Sequence, residues 1–200
     1  LGIIMLHLYM NTVIKFFFLL TPFFLLSTFL SMTGQMPDPV RKRIALKVTL
    51  AIIIISMILL LIGNQIFSIF GITLNSFRIG TGILLFLSAK SLVQGTGTIQ
   101  NTEGDEEVAV VPLAIPVAIG PATTGALLVM SGDMASTSHL IVAMLAVLTA
   151  VVFTGLLLFV SSYFEKILKR QGLAILSKIT GLILAAMAAE MVMNGIKGFL

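Results

Sequence analysis

Two short stretches expose backbone groups that could bind a small charged solute. Residues 115–125 read IPVAIGPATTG, with two prolines, two glycines and two threonines inside a segment otherwise apolar enough for a membrane helix. Pro121 has no N–H, and in a continuous helix its ring collides with the carbonyl four residues back. Gly120 before it is free to leave helical torsion angles. The pair predicts a break, with Gly120 as N-cap and Pro121 as the first residue of a new half-helix, a position proline favours. The N–H groups of Ala122, Thr123 and Thr124 are then expected to face the gap unpaired, at the positive end of the helix dipole, where a carboxylate binds. LLTPFF repeats the design at Thr21-Pro22, with the Thr21 hydroxyl expected to cap the next turn. Carbonyls freed by the two breaks would accept an ammonium, so the combination suits a small zwitterionic substrate. Ala122, Thr123 and Thr124 imply a tight pocket, and Phe23 and Phe24 limit its size. A plain proline kink is the competing reading, since neighbouring helices and water tolerate kinks in membranes. Two breaks at matching positions, each behind a capping residue, favour the site.

The ionisable residues of the apolar segments are the next candidates, because charge in lipid is costly and usually functional. Lys15, Arg78 and Lys178 lie near segment ends, from which long side chains snorkel to the interface. Lys90 and Glu190 lie deeper. Their positions put them towards opposite membrane faces, so no direct pair between them is expected. Interface anchoring competes with gating or proton coupling for Lys90, Glu190 and Arg78. Glu190 is the better coupling candidate, because protonation neutralises a carboxylate. Catalytic chemistry finds little support. There is no cysteine, and His7, His139 and Asp133 form no Ser–His, Asp–Asp or metal-ligand constellation. No enzyme activity, no metal and no cofactor are expected.

These residues must be held by membrane helices. The chain is 58% hydrophobic and only 10% charged, with a mean hydropathy of +1.14; soluble domains carry about a quarter charged residues. Six apolar segments stand out, at 12–33, 44–70, 75–94, 108–130, 139–162 and 173–197. They are continuously apolar rather than alternating, which disfavours a β-barrel. Basic residues cluster at 35–47 and 163–178, while 71–74 and 131–138 have no Lys or Arg. The positive-inside rule then places the basic connections, and the acidic linker at 96–107, in the cytoplasm, and both termini outside it. The net charge of +4 reflects these loops rather than nucleic-acid binding, and topology explains them better than headgroup recognition. The opening residues are apolar with no basic stretch before them, so no cleavable signal peptide is expected. Gly181, Ala185 and Ala189 recur every four residues, a pattern of close helix contact. It is expected to pack the last span inside the bundle rather than to build a homo-oligomer, which stays open.

RIGTGILLFLSAKSLVQG at 78–95 matches KITGLILAAMAAEMVMNG at 178–195 at an offset of 100, and Pro22 matches Pro121 at 99. The chain therefore reads as a duplication: a first repeat at 1–95, the linker at 96–107 and a second repeat at 108–200. Three spans per repeat invert the second half relative to the first, as in many secondary transporters, whose sites lie at broken helices near the midplane. The expected fold is an all-α membrane protein with six transmembrane helices in two inverted three-helix repeats, helices 1 and 4 being broken.

FFFLLTPFFLLSTFLSMT at 16–33, FGITLNSFRIGTGILLFLSAKSL at 70–92, VAVVPLAIPVAIGPATTGALL at 108–128 and KITGLILAAMAAEMVMNGI at 178–196 together resemble the MarC family of integral membrane proteins. The resemblance covers nearly the whole chain. It implies six helices in two inverted halves, residence in the bacterial inner membrane, and, by similarity to some members, transport of small neutral amino acids such as glycine and alanine. The family's first-repeat motif is usually Asn-Pro or Asp-Pro, where this chain has Thr21-Pro22. Its second is usually Gly-Pro-Gly, where this chain has Gly120-Pro121-Ala122. The expected function is thus a secondary carrier of small neutral amino acids, with a carrier of another small solute or a non-transporting membrane protein as alternatives.

Overall fold

The computed structural model describes residues 2–95, 113–134 and 136–200, and among these residues the structure is helical without strands. The chain order is α1 (Gly2–Leu19), α2 (Pro22–Thr33), α3 (Asp38–Phe70), α4 (Leu74–Gln94), a π-helical turn (Leu113–Ala118), α5 (Pro121–Gly132), α6 (Thr137–Phe159) and α7 (Ser161–Lys197). The acidic linker with Glu103, Asp105, Glu106 and Glu107, and Pro112 at the expected start of the fourth segment, lie outside the described residues.

Local sequence explains most ends. Asp38 and Pro39 open α3, and Gly71 closes it in the left-handed region at φ 61°. The Thr73 hydroxyl accepts the Ser76 N–H at 3.2 Å to open α4. Gly95 closes α4 at φ 72°, its N–H returning to the Leu92 carbonyl at 3.3 Å. Ser136 caps α6 through the His139 N–H.

Five helices are long and apolar enough to cross a membrane: Gly2–Thr33, which joins α1 and α2 across their break, Asp38–Gly63, Leu74–Gln94, Thr137–Phe159 and Gln171–Lys197. The remaining expected segment, 108–130, begins outside the described residues and is divided at Gly120. Its second piece, α5, has 12 residues, too few to span about 30 Å by itself. Two further expectations change. The first apolar segment begins at Gly2 rather than near residue 12, so Lys15 is interior to the helix and not near a segment end. The basic stretches 35–47 and 163–178, expected as connections, are largely helical, as the first turns of α3 and of α7. Lys and Arg are good helix formers, so polarity marked the water interface there and not the end of the helix. α6 and α7 meet at the single residue Val160.

The core gathers Phe16, Leu20, Leu25, Phe29, Ile44 and Leu127 at no exposure, while Ile3, Ile58, Phe86, Phe153 and Leu182 stand outward, half exposed or more. An apolar outside around an apolar inside is what lipid solvation permits. Buried hydroxyls return to their own helices: Thr33 donates to the Phe29 carbonyl at 2.7 Å and Thr154 to the Ala150 carbonyl at 3.0 Å.

α4 and α7 make the most extensive helix contact, and they run antiparallel. A Cβ on Gly181 would lie 3.0 Å from the Ala89 carbonyl oxygen, one on Gly82 3.0 Å from the Ala188 carbonyl oxygen, and one on Gly195 2.8 Å from the Asn75 carbonyl oxygen. The close stripe of α7 is therefore Gly181, Leu184, Ala188, Val192 and Gly195. Ala189, expected on it, is exposed, because a helix face advances by alternating steps of three and four rather than by four alone. α1 packs chiefly on α6, α3 on both α5 and α6, α2 on α7, and α4 on α5.

Candidate functional site

Each predicted break is present and each is built differently. At the first, the Leu20 N–H still donates to the Phe16 carbonyl at 3.0 Å, but the Thr21 N–H turns to the Phe18 carbonyl at 2.9 Å. Thr21 then sits at φ 48°, ψ 56°, a left-handed conformation that a β-branched residue rarely adopts. Its hydroxyl makes no cap hydrogen bond. The expected Thr21 side-chain cap is thus corrected: N-cap side chains reach the next turn from extended backbone, and the left-handed twist takes the hydroxyl away. The first bond of α2 runs from the Leu25 N–H to the Thr21 carbonyl at 2.9 Å, so the N–H groups of Phe23 and Phe24 precede the helical ladder. Pro22 is buried, and Phe23 and Phe24 are half-buried.

At the second break the chain leaves the α-helix earlier than Pro121 requires. Ile115 is non-helical at φ −136°, ψ 121°, and the Ile119 N–H reaches back five residues to the Ala114 carbonyl at 3.0 Å. Gly120 is extended, and Pro121 opens α5. The Thr124 N–H donates to the Gly120 carbonyl at 2.9 Å. Thr124 is therefore removed from the expected set of unpaired donors, because the N-cap carbonyl already accepts the first helical bond. Ala122 and Thr123 keep N–H groups ahead of that bond. Their residues are buried, each at 6% exposure, whereas Pro121 is exposed.

A groove of about 590 Å³ runs between α4 and α5, from Ile72 in the turn before α4 down to Leu84 and Pro121. Ser76, Thr81 and Thr124 supply hydroxyls to an otherwise apolar lining, and Gly125 lies against Thr81. This is wider than the tight pocket that the small residues suggest, since the groove is open along one side. It takes in Pro121 and Thr124 of the expected residues. It takes in none of Thr21, Pro22, Phe23 and Phe24, and Ala122, Thr123 and Gly120 do not line it. The first break instead meets the second through the core, where α2 packs on the π-turn. Sequence reasoning missed the α4 wall, Ser76, Phe77, Gly80 and Thr81. The one available signal was the run of small residues at 80–82, Gly-Thr-Gly.

The charged residues fall into three groups. Arg78 pairs with Asp133 across the α4–α5 junction and donates to Asn75 Oδ1 at 3.0 Å, while Asn75 donates to the Gly198 carbonyl at 2.9 Å. Burial pushes the Asp133 carboxyl up from its ordinary range, and Arg78 draws it partly back. Lys90 is exposed and makes no ion pair among the described residues. Glu190 pairs with Lys15 at 3.6 Å. At the other end of the bundle Arg41, only 7% exposed, donates to Ser162 Oγ and the Gly34 carbonyl, each at 3.0 Å, and faces Glu165 at 3.4 Å. Ser162 in turn donates to Asp38 at 2.9 Å. Composition marked Arg41 only as a topology charge. Its clasp between α2, α3 and α7 depends on partners more than 120 residues away and has no sequence signature.

A family model described as MarC family integral membrane protein matches residues 6–200. Among curated relatives, a UPF0056 membrane protein of Pyrococcus horikoshii is 34% identical over 174 residues, covering 85% of each chain. A UPF0056 membrane protein of Methanocaldococcus jannaschii is 33% identical, over 92% of this chain and 93% of its own. The UPF0056 membrane protein YhcE of Escherichia coli is 31% identical, over 95% of this chain and 92% of its own. No solved structure matches the chain.

Proposed function

Because the chain belongs to the MarC family of integral membrane proteins, we propose that it is a secondary carrier of small neutral amino acids such as glycine and alanine. It works by alternating access around the broken helices, and it has no enzymatic activity. One observation carries the reading: two half-helices, α2 and α5, each start on a proline, 99 positions apart, and one of these starts lies at the inner end of a groove. First-turn N–H groups and the helix dipole attract a carboxylate. The freed carbonyls attract an ammonium. A scaffold has no need of either break.

The helix pairing supports two inverted repeats. If α1–α2 correspond to the π-turn and α5, α3 to α6, and α4 to α7, then the contacts α2–α7 and α4–α5 are equivalent, and so are α1–α6 and the packing of α3 on the π-turn. The α3–α6 and α4–α7 contacts each join an element to its own counterpart. That is the packing of a pseudo-two-fold molecule whose halves rock about a central site. With the groove reaching Pro121 alone, this state gives access to one of the two half-sites. The carrier resides in the bacterial inner membrane, with both termini outside the cytoplasm.

Counterflow in proteoliposomes tests the function. Vesicles loaded with unlabelled alanine are expected to accumulate labelled glycine or alanine from outside. Pro121→Ala, which permits a continuous helix, is expected to reduce the initial rate by about tenfold or more. Accumulation equal to that of protein-free vesicles, for every small neutral amino acid, would sink the substrate class.

A further inference from the structure

Lys15 and Glu190 form an ion pair, Nζ to Oε2 at 3.6 Å, at a depth where isolated charge is costly. The depth follows from how α7 lies on α4. A Cβ on Gly82 would stand 3.0 Å from the Ala188 carbonyl oxygen and 3.1 Å from the Val192 nitrogen. Glu190, between those two residues, is therefore level with the middle part of α4. Lys15 is equally interior, less than two turns before the break at Thr21. Neither side chain is at a helix end where it would reach water unaided. Ionisable groups at such depth face a partner or an aqueous space and carry function. Both stay accessible, with 44% and 58% of their side chains exposed.

No other charge competes for Glu190. α4 carries Arg78, committed to Asp133 and Asn75, and Lys90, which is next to Ala89 at the level of Gly181, about 13 Å along α7 from Glu190. α2 has no ionisable side chain. α1 adds His7, two turns before Lys15, and Tyr9, whose hydroxyl bonds Thr149 at 2.7 Å. α6 contributes His139, bonded to Ser136 in its first turn. α1 rests chiefly on α6 and touches α7 over a short stretch only, so the ion pair is a principal tie between α1 and α7.

We propose that Lys15 and Glu190 form a proton-binding latch between the first half-helix and α7. The Glu190 carboxylate takes one proton from water, the ion pair becomes a neutral acid beside an ammonium, and α1 is released. One proton bound per opening would couple substrate movement to a proton gradient. That consequence rests on the carrier reading above, whereas the latch itself does not.

The chain has no cysteine, so one introduced thiol reports on the latch without substrate. Thr12→Cys places it on the buried face of α1, at a site 6% exposed. Its labelling rate in liposomes is read relative to an exposed Phe199→Cys reference at the same pH. From about pH 8 to about pH 4.5 the relative rate is expected to rise by about fivefold, the scale of one half-exposed ion pair. Glu190→Gln is expected to give the fast rate at both values. Lys15→Gln, which leaves the carboxylate without its partner, should do the same and covers the case in which the first variant does not fold. The swap Lys15→Glu with Glu190→Lys should restore slow labelling at about pH 8. Equal wild-type rates at the two pH values, or slow labelling in both Gln variants, would overturn the latch. Because no transported solute is present, either result stands whatever counterflow reports.

Discussion

At the scale of single residues, the first break is held by a conformation that its own side chain resists. Thr21 is the only non-glycine residue with positive φ among the described residues. Left-handed backbone costs a β-branched residue on the order of 1 kcal/mol. Asparagine tolerates this region through its short polar side chain, which accounts physically for the Asn-Pro that the family resemblance leads one to expect here. Thr21→Asn should therefore stabilise the protein by about 0.5–1 kcal/mol, read as a rise in melting temperature in detergent. A lower melting temperature would mean that the Thr21 methyl contributes packing that outweighs the strain. The break itself was legible from Pro22, because a missing N–H and a ring clash are properties of the residue. The sign of φ at Thr21 was not, because it depends on how α2 must turn to pack on α7.

At the scale of elements, the α4–α7 contact sets how closely the halves approach. Gly82 allows it: a Cβ there would meet backbone atoms of Ala188 and Val192 at 3.0 and 3.1 Å, whereas nothing lies within 4 Å of a Cβ at Gly80. Gly82→Leu is expected to destabilise by about 2–3 kcal/mol through overpacking. Gly80→Ala should be neutral or gain up to about 1 kcal/mol of helix propensity. Thermal unfolding of both variants checks this, and similar shifts for the two would remove the contact from its assigned role. The sequence already showed small residues at helical spacing near Gly181. It could not show that the buried stripe turns through Leu184 and Ala188 and leaves Ala189 outside, because which face of a uniformly apolar helix is inward depends on its neighbours.

For the whole molecule, two polar clasps sit at opposite ends of the bundle: Arg78 with Asp133 and Asn75, and Arg41 with Glu165, Ser162 and the Gly34 carbonyl. Each ties helices that a rocking motion would separate. The charge pattern puts the Arg41 end in the cytoplasm. An impermeant thiol reagent added to right-side-out membrane vesicles should therefore label Phe199→Cys directly, and Gln35→Cys only after permeabilisation. The reverse pattern would invert the topology and leave the helix packing untouched.

Composition and local chemistry alone determined the solvent, the helical class, the two prolines that interrupt helices, and the family. Lipid demands internally bonded helices from any long apolar run, and proline breaks them wherever it stands in a helix interior. Tertiary structure decided the rest. It set the α4 wall of the groove, released Ala122 and Thr123 but not Thr124 from the helical ladder, and paired Lys15 with Glu190 rather than leaving both as anchors. In a chain this uniformly apolar, no local pattern distinguishes a side chain facing lipid from one facing another helix; only the packing partner does.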